Sequence, residues 1–246
     1  MALSNLWRSP SRDARVVACL GGQSTNKLLF RCSTNGKLKF ILIFCYPGLV
    51  SSARLELRRE LFRLAGRQHG FFTAAQAVKI GYSYQAQKYN VDAGNWLRVD
   101  RGVFRIPEWP THPFDHLVRW TLWSGGQGVV SHASALVVHD LGEIDPAVVH
   151  LSVPAGFRRS ARGIRLHRPL PPATHVEDRE GYRVTTPGRA LAECAEAKIE
   201  QQWLESAVND ALERGLTTPR RLRDAAAELG AVAEFGVHLA LEAAGR

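Results

Sequence analysis

Eight side chains between Tyr84 and Arg105 have the types and spacing to read a nucleic acid. Tyr84, Gln87, Lys88 and Val91 fall at i, i+3, i+4 and i+7, one face of a helix, with Gln85 beside them. Gln can pair bidentately with an adenine edge, Lys can reach guanine or phosphate, and Val can meet a thymine methyl. Arg98, Arg101 and Arg105 follow in an alternating segment, and an Arg at a hairpin tip can enter a narrow minor groove. A solvated helix face carries similar residues; the neighbouring arginines favour the nucleic-acid reading.

Other candidate chemistry is thinner. His112 and His116 stand four apart, a ligand spacing, but no third ligand is placed to complete a metal site. His132 and His139 share one helical face and read as packing or interface residues. Glu196-Ala-Lys198, with Asp145 upstream, matches a fragment of restriction-type nucleases. That fragment belongs on a strand, whereas a helical pattern begun at Thr186 runs through it here. Phosphate-binding glycine loops, nucleophile elbows and zinc-protease motifs are missing from the sequence. The expectation is a protein without enzymatic activity, metal or cofactor.

The elements that must position the eight residues are legible around them. Leu57, Leu61, Leu64 and Ala65 form a helical core stripe that Gly70 ends. Thr73 is placed to cap a short helix over 74–79, broken by Gly81, and Ser83 to cap a third helix running to Gly94. Ala86, Tyr89 and Ala93 are expected to point inward from that third helix. Leu97/Val99 and Phe104/Ile106 alternate with polar residues around Asp100-Arg101-Gly102, a hairpin signal. Helix, helix, turn, helix and hairpin is the order of a winged helix-turn-helix.

Pro107, Pro110 and Pro113 mark a boundary. Beyond it helices are expected near 114–123 and 131–141, then strands at 148–153, 163–167 and 182–185. Thr186-Pro187 and Thr218-Pro219 each open a helix with a capping Thr and a Pro at the first position. Three helices, at 201–214, 219–229 and 235–243, close the chain. The predicted class is α+β: residues 54–110 as a winged helix-turn-helix, then 111–246 as a larger mixed α/β domain ending in helices.

Composition supports a globular chain and locates its charge. The 246 residues are 45% hydrophobic and 22% charged, the balance of a folded protein. Four cysteines form no CxxC pair, which excludes a thiolate zinc ribbon. Of the net +9, residues 1–52 carry +6 and 54–110 carry +5, while 111–246 carry −2. Polyanion contacts are therefore expected in the N-terminal half. Residues 1–53 show no consistent period. Lys37–Val50 has the look of a signal-peptide core but begins too late in the chain. This stretch is expected to be a poorly ordered extension outside the fold, translated upstream of a start at Val50 or Leu55.

From Leu55 to Leu229 the chain resembles the AbiEi-type antitoxins of bacterial type IV toxin–antitoxin systems. The resemblance rests on Gly70-Phe-Phe-Thr-Ala-Ala-Gln76, Trp96-Leu-Arg-Val-Asp-Arg-Gly-Val-Phe-Arg-Ile106 and Ser131-His-Ala-Ser-Ala-Leu136. His150-Leu-Ser-Val-Pro154 and Val184-Thr-Thr-Pro-Gly-Arg-Ala-Leu191 complete it, in that order. It implies an autorepressor whose winged helix binds double-stranded operator DNA; a cytoplasmic location and a homodimer on the DNA are expected with it. It also implies a C-terminal domain required for antitoxin action and a nucleotidyltransferase-like toxin as functional partner. The alternatives are the DNA-targeting front half of a restriction-like nuclease fusion and a stand-alone transcription regulator.

Overall fold

The computed structural model describes residues 52–246; the extension expected at 1–53 lies outside them, apart from its last two positions. The chain divides at Glu60/Leu61, and Leu61–Arg246 forms a compact unit of its own. All that follows concerns this unit, a mixed α/β assembly. Helix α1 (Pro47–Gly66) leads into it, burying Leu61 and Ala65. Strand β1 (Phe71–Thr73), helix α2 (Ala74–Ile80) and helix α3 (Tyr84–Asp92) follow. A hairpin of β2 (Leu97–Asp100) and β3 (Val103–Arg105) turns at Arg101-Gly102, where Gly102 has φ +74°. Its strands join β1 in a three-stranded antiparallel sheet of order β1-β3-β2.

Local chemistry accounts for these boundaries. Thr73 and Gln76 form a reciprocal capping box at the start of α2, with bonds of 3.1 and 2.7 Å. Ser83 Oγ accepts from Ala86 N at 3.2 Å and starts α3. Gly70 must be glycine: its φ is +81°, and a Cβ there would stand 2.4 Å from the Trp109 side chain.

Strand alternation then divides the small sheet between two cores. Phe72 and Phe104 join Leu61, Ala77, Trp96 and Ile106 in an aromatic cluster, with Phe72 edge-on to Trp96 at 4.9 Å. Phe71 and Val103 point the other way, into the large core of the rest of the chain. The small sheet is thus covered on both faces.

The large core is built by helices on a second sheet. After α4 (Asp115–Trp123) come β4 (Val129–Val130), α5 (His132–His139), β5 (Val149–Ser152) and β6 (Ile164–His167). A hairpin of β7 (Val176–Arg179) and β8 (Tyr182–Thr185) completes a five-stranded mixed sheet of order β7-β8-β4-β5-β6. Helices α6 (Pro187–Glu196), α7 (Gln201–Glu213), α8 (Pro219–Ala227) and α9 (Ala231–Ala243) follow, with α6 packed against the other three and α5. Strands β4 and β7, like the three-residue β1, are not expected from the sequence. The first has two residues and the second buries none, so neither leaves a period to read. Among the described residues no helix is long and apolar enough to cross a membrane.

Candidate nucleic-acid interface

Helix α3 presents a different face from the one its spacing suggests. Tyr84 and Tyr89 are 72% and 69% exposed, and Gln85 and Lys88 are exposed with them. Gln87, expected outward, is 3% exposed; its Nε2 donates to Ala74 O at 3.1 Å and Tyr82 O at 3.3 Å. Val91, also expected outward, packs on the aromatic cluster, while Tyr89 and Ala93, expected inward, are exposed. The cause is backbone satisfaction: the Gln87 amide ties the start of α2 to the α2–α3 turn, a task no apolar residue could perform. The outward face therefore carries Tyr84, Gln85, Lys88 and Tyr89. Lys88 pairs with Asp92 at 2.7 Å, an exposed contact of little energetic weight.

The hairpin arginines divide in the same way. Arg101 is exposed at the turn, and Arg98 is exposed with its guanidinium 5.9 Å from the Phe104 ring centroid. Arg105, expected on the exposed side, is mostly buried. It donates to Asp115 Oδ2 at 3.0 Å, Trp109 O at 3.2 Å and Pro110 O at 3.0 Å, and lies over Phe71. Asp115 also meets His69 Nδ1 at 3.2 Å. Arg105 is a tether between β3 and α4, because β3 is the central strand and its ends are covered. The base of the turn is fixed too. Burial raises the Asp100 carboxyl, but the Arg101 N–H and the Arg119 guanidinium outweigh it and hold the group below its ordinary value.

A basic cavity of about 750 Å³ adjoins this surface. Lys79, Tyr84, Arg101, Arg159, Arg179 and Arg183 are among the residues that line it. Asp178 is the acidic side chain among its lining residues. Arg159 is held by the Trp123 carbonyl, and Arg183 donates to Gly126 O and Gln127 O at 3.0 and 3.1 Å. Sequence reasoning misses Arg159, Arg179 and Arg183, because a segment with net −2 reads as poor in phosphate contacts. Charge summed along a chain does not report the charge of one face.

Residues 59–107 match the family model for a transcriptional regulator, AbiEi antitoxin. The matched span runs from within α1 through β3, just past Arg105, and contains all eight residues singled out in the sequence. No curated protein matches the chain.

The remaining candidates fall elsewhere. Glu196 is the last residue of α6 and Lys198 follows in a left-handed turn at φ +54°, so the nuclease-like fragment lies on no strand. His112 accepts from Phe114 N and leans on His69 at 4.5 Å. His139 Nε2 meets Thr185 O at 2.7 Å, a packing role, and burial lowers its pKa. His132 departs from that pattern. It gathers with His150 and His167, each the sole histidine of its strand, so no local spacing announces the group. Burial, with repulsion from neighbouring cationic groups, lowers the pKa of all three, to about 2 for His132 and about 4 for His167.

Proposed function

We propose that this protein is a DNA-binding antitoxin that represses its own type IV toxin–antitoxin operon. The carrying observation is the family match over residues 59–107, which falls on an exposed, capped helix and an adjacent hairpin with an arginine at its tip. In this reading residues 54–110 act as a winged helix-turn-helix. Helix α3 enters the major groove, where Tyr84, Gln85, Lys88 and Tyr89 meet base edges and phosphates, and Arg101 with Arg98 follows the backbone or minor groove. The basic cavity continues the phosphate track onto residues 159–183. Gln87, Val91 and Arg105 support the surface from behind. The C-terminal helices serve antitoxin action against a nucleotidyltransferase-like toxin.

Gel shifts with the DNA upstream of the gene test this, in a series of salt concentrations. Lys88→Ala with Arg101→Ala should lower the magnitude of the salt slope by about one unit for each phosphate that the truncated side chains no longer reach. Truncating a side chain that reads a base should instead cost roughly 1–3 kcal/mol and relax specificity. Unchanged affinity and slope in the double variant would sink the assignment of α3 and the hairpin tip.

A further inference from the structure

Three histidines converge at one end of the larger sheet. His132 opens α5, His150 is on β5 and His167 ends β6, and one nitrogen from each lies within 4.8 Å of the other two. His150 Nδ1 and His167 Nε2 are 3.2 Å apart, and the His132 ring stacks over His167 with centroids 3.5 Å apart. His132 and His150 are buried and His167 half-buried. His132 also holds φ +53°, a left-handed conformation that a non-glycine residue adopts only when its surroundings impose it.

We propose that His132, His150 and His167 bind a divalent transition-metal ion of the zinc class. Tetrahedral zinc with imidazole nitrogens about 2.0–2.1 Å away requires nitrogens about 3.3 Å from one another. The His150–His167 pair already has that separation. His132 completes the set by turning its ring out of the stack. Three imidazoles without a thiolate or a wide oxygen cage suit zinc, nickel or copper and not magnesium or calcium.

The surroundings are those of a supported ligand. Ser131 Oγ lies 3.0 Å from His132 Nδ1 and accepts from Ser152 Oγ at 2.9 Å. Glu193 Oε2 is 3.7 Å from the same His132 nitrogen and accepts from the His132 backbone N–H at 3.2 Å. Arg189 Nε and Thr185 Oγ1 hold that carboxylate in turn, at 3.1 and 3.3 Å. The Ser131 hydroxyl on Nδ1, with the Glu193 carboxylate just beyond hydrogen-bond distance, favours the tautomer that leaves Nε2 for the metal. A cavity of about 430 Å³, lined by His132, His167, Ser152, Arg189 and Glu193, gives entry and room for a water as fourth ligand. The ion would join the start of α5 to two strands distant in sequence, so binding adds to folding stability.

The full-length protein, stripped with a chelator, should take up one equivalent of Zn²⁺ and unfold at a higher temperature with it. Co²⁺ should give the visible bands of a four-coordinate site. His150→Ala and His167→Gln should each weaken Zn²⁺ binding on the order of 100-fold, while His116→Ala and His238→Ala, at exposed positions, leave it unchanged. Stoichiometric binding that survives in the first pair, or no uptake at micromolar Zn²⁺ by the wild type, overturns the proposal. Should a variant fold poorly by circular dichroism, imidazole ¹⁵N resonances of the wild-type protein decide. Zn²⁺-induced shifts confined to three histidines support the site, and shifts absent there refute it.

Discussion

The outer face of α3 and the junction of α5, β5 and α6 use similar polar side chains to opposite ends. On α3, Tyr84, Gln85, Lys88 and Tyr89 stand in solvent, tethered lightly or not at all to the scaffold. At the junction, Ser131, His132, Ser134, His150, Ser152, Thr185, Arg189 and Glu193 are all buried and joined by hydrogen bonds. Polar groups left in water cost little in stability and remain available to a partner. Polar groups taken out of water must be paired with one another, and each becomes expensive to remove. The first region can therefore change without unfolding the protein, and the second cannot.

Removing a junction charge should break that contrast most severely. Glu193→Ala leaves the mostly buried Arg189, the His132 backbone N–H and the Thr185 hydroxyl without their shared acceptor. The expected loss is about 3–5 kcal/mol, measured by urea unfolding. A loss under about 1 kcal/mol would mean the network rearranges freely and the contrast is false.

Acid should reach the junction before the outer face of α3. His132, His139, His150 and His167 all have folded pKa values below the ordinary 6.5, with burial as the largest cause. The unfolded chain then binds protons that the folded chain refuses. Their contribution to stability is complete above pH 6.5 and is lost as pH falls from there, toward about 4 for His167 and about 2 for His132. Each group not yet protonated in the folded state adds up to about 1.4 kcal/mol per pH unit to the slope. Urea midpoints of the chelator-stripped protein at pH 7 and pH 5 measure it, and replacing His167 with Gln should flatten it. A stability independent of pH over that interval contradicts the burial of the group.

The finest comparison lies within α3 itself. Gln87→Ala removes the amide's bonds to Ala74 O and Tyr82 O and should cost about 1–3 kcal/mol. Gln85→Ala, two residues earlier and exposed, should stay within about 0.5 kcal/mol. Equal effects would return α3 to the orientation its spacing suggests.

The two glutamines also mark how far the sequence can be read. Helix starts are legible wherever a cap lies within three residues of what it satisfies. Ser83, Thr73 with Gln76 and Thr218 cap by hydrogen bond where the pattern places them, and Thr186-Pro187 opens α6. The hairpin at Asp100-Arg101-Gly102 and the 182–185 strand are legible for the same reason, since turn chemistry and alternation are local. The orientation of α3 is not. Polarity at Gln87 looks like exposure in a one-dimensional pattern, and only the nearby carbonyls of α2 and the turn make its burial favourable.

By itself, then, the sequence determined the helices and the strands other than β1, β4 and β7, the asymmetry of charge along the chain and the set of residues from which a candidate surface could be drawn. The tertiary structure decided which members of that set face solvent, put Arg105 against Asp115, and brought His132, His150 and His167 together. The division follows from range. Caps, turns and periodicity act across a few residues, whereas the pairing of buried polar groups depends on partners separated by tens of residues, whose proximity exists only once the sheets and helices have packed.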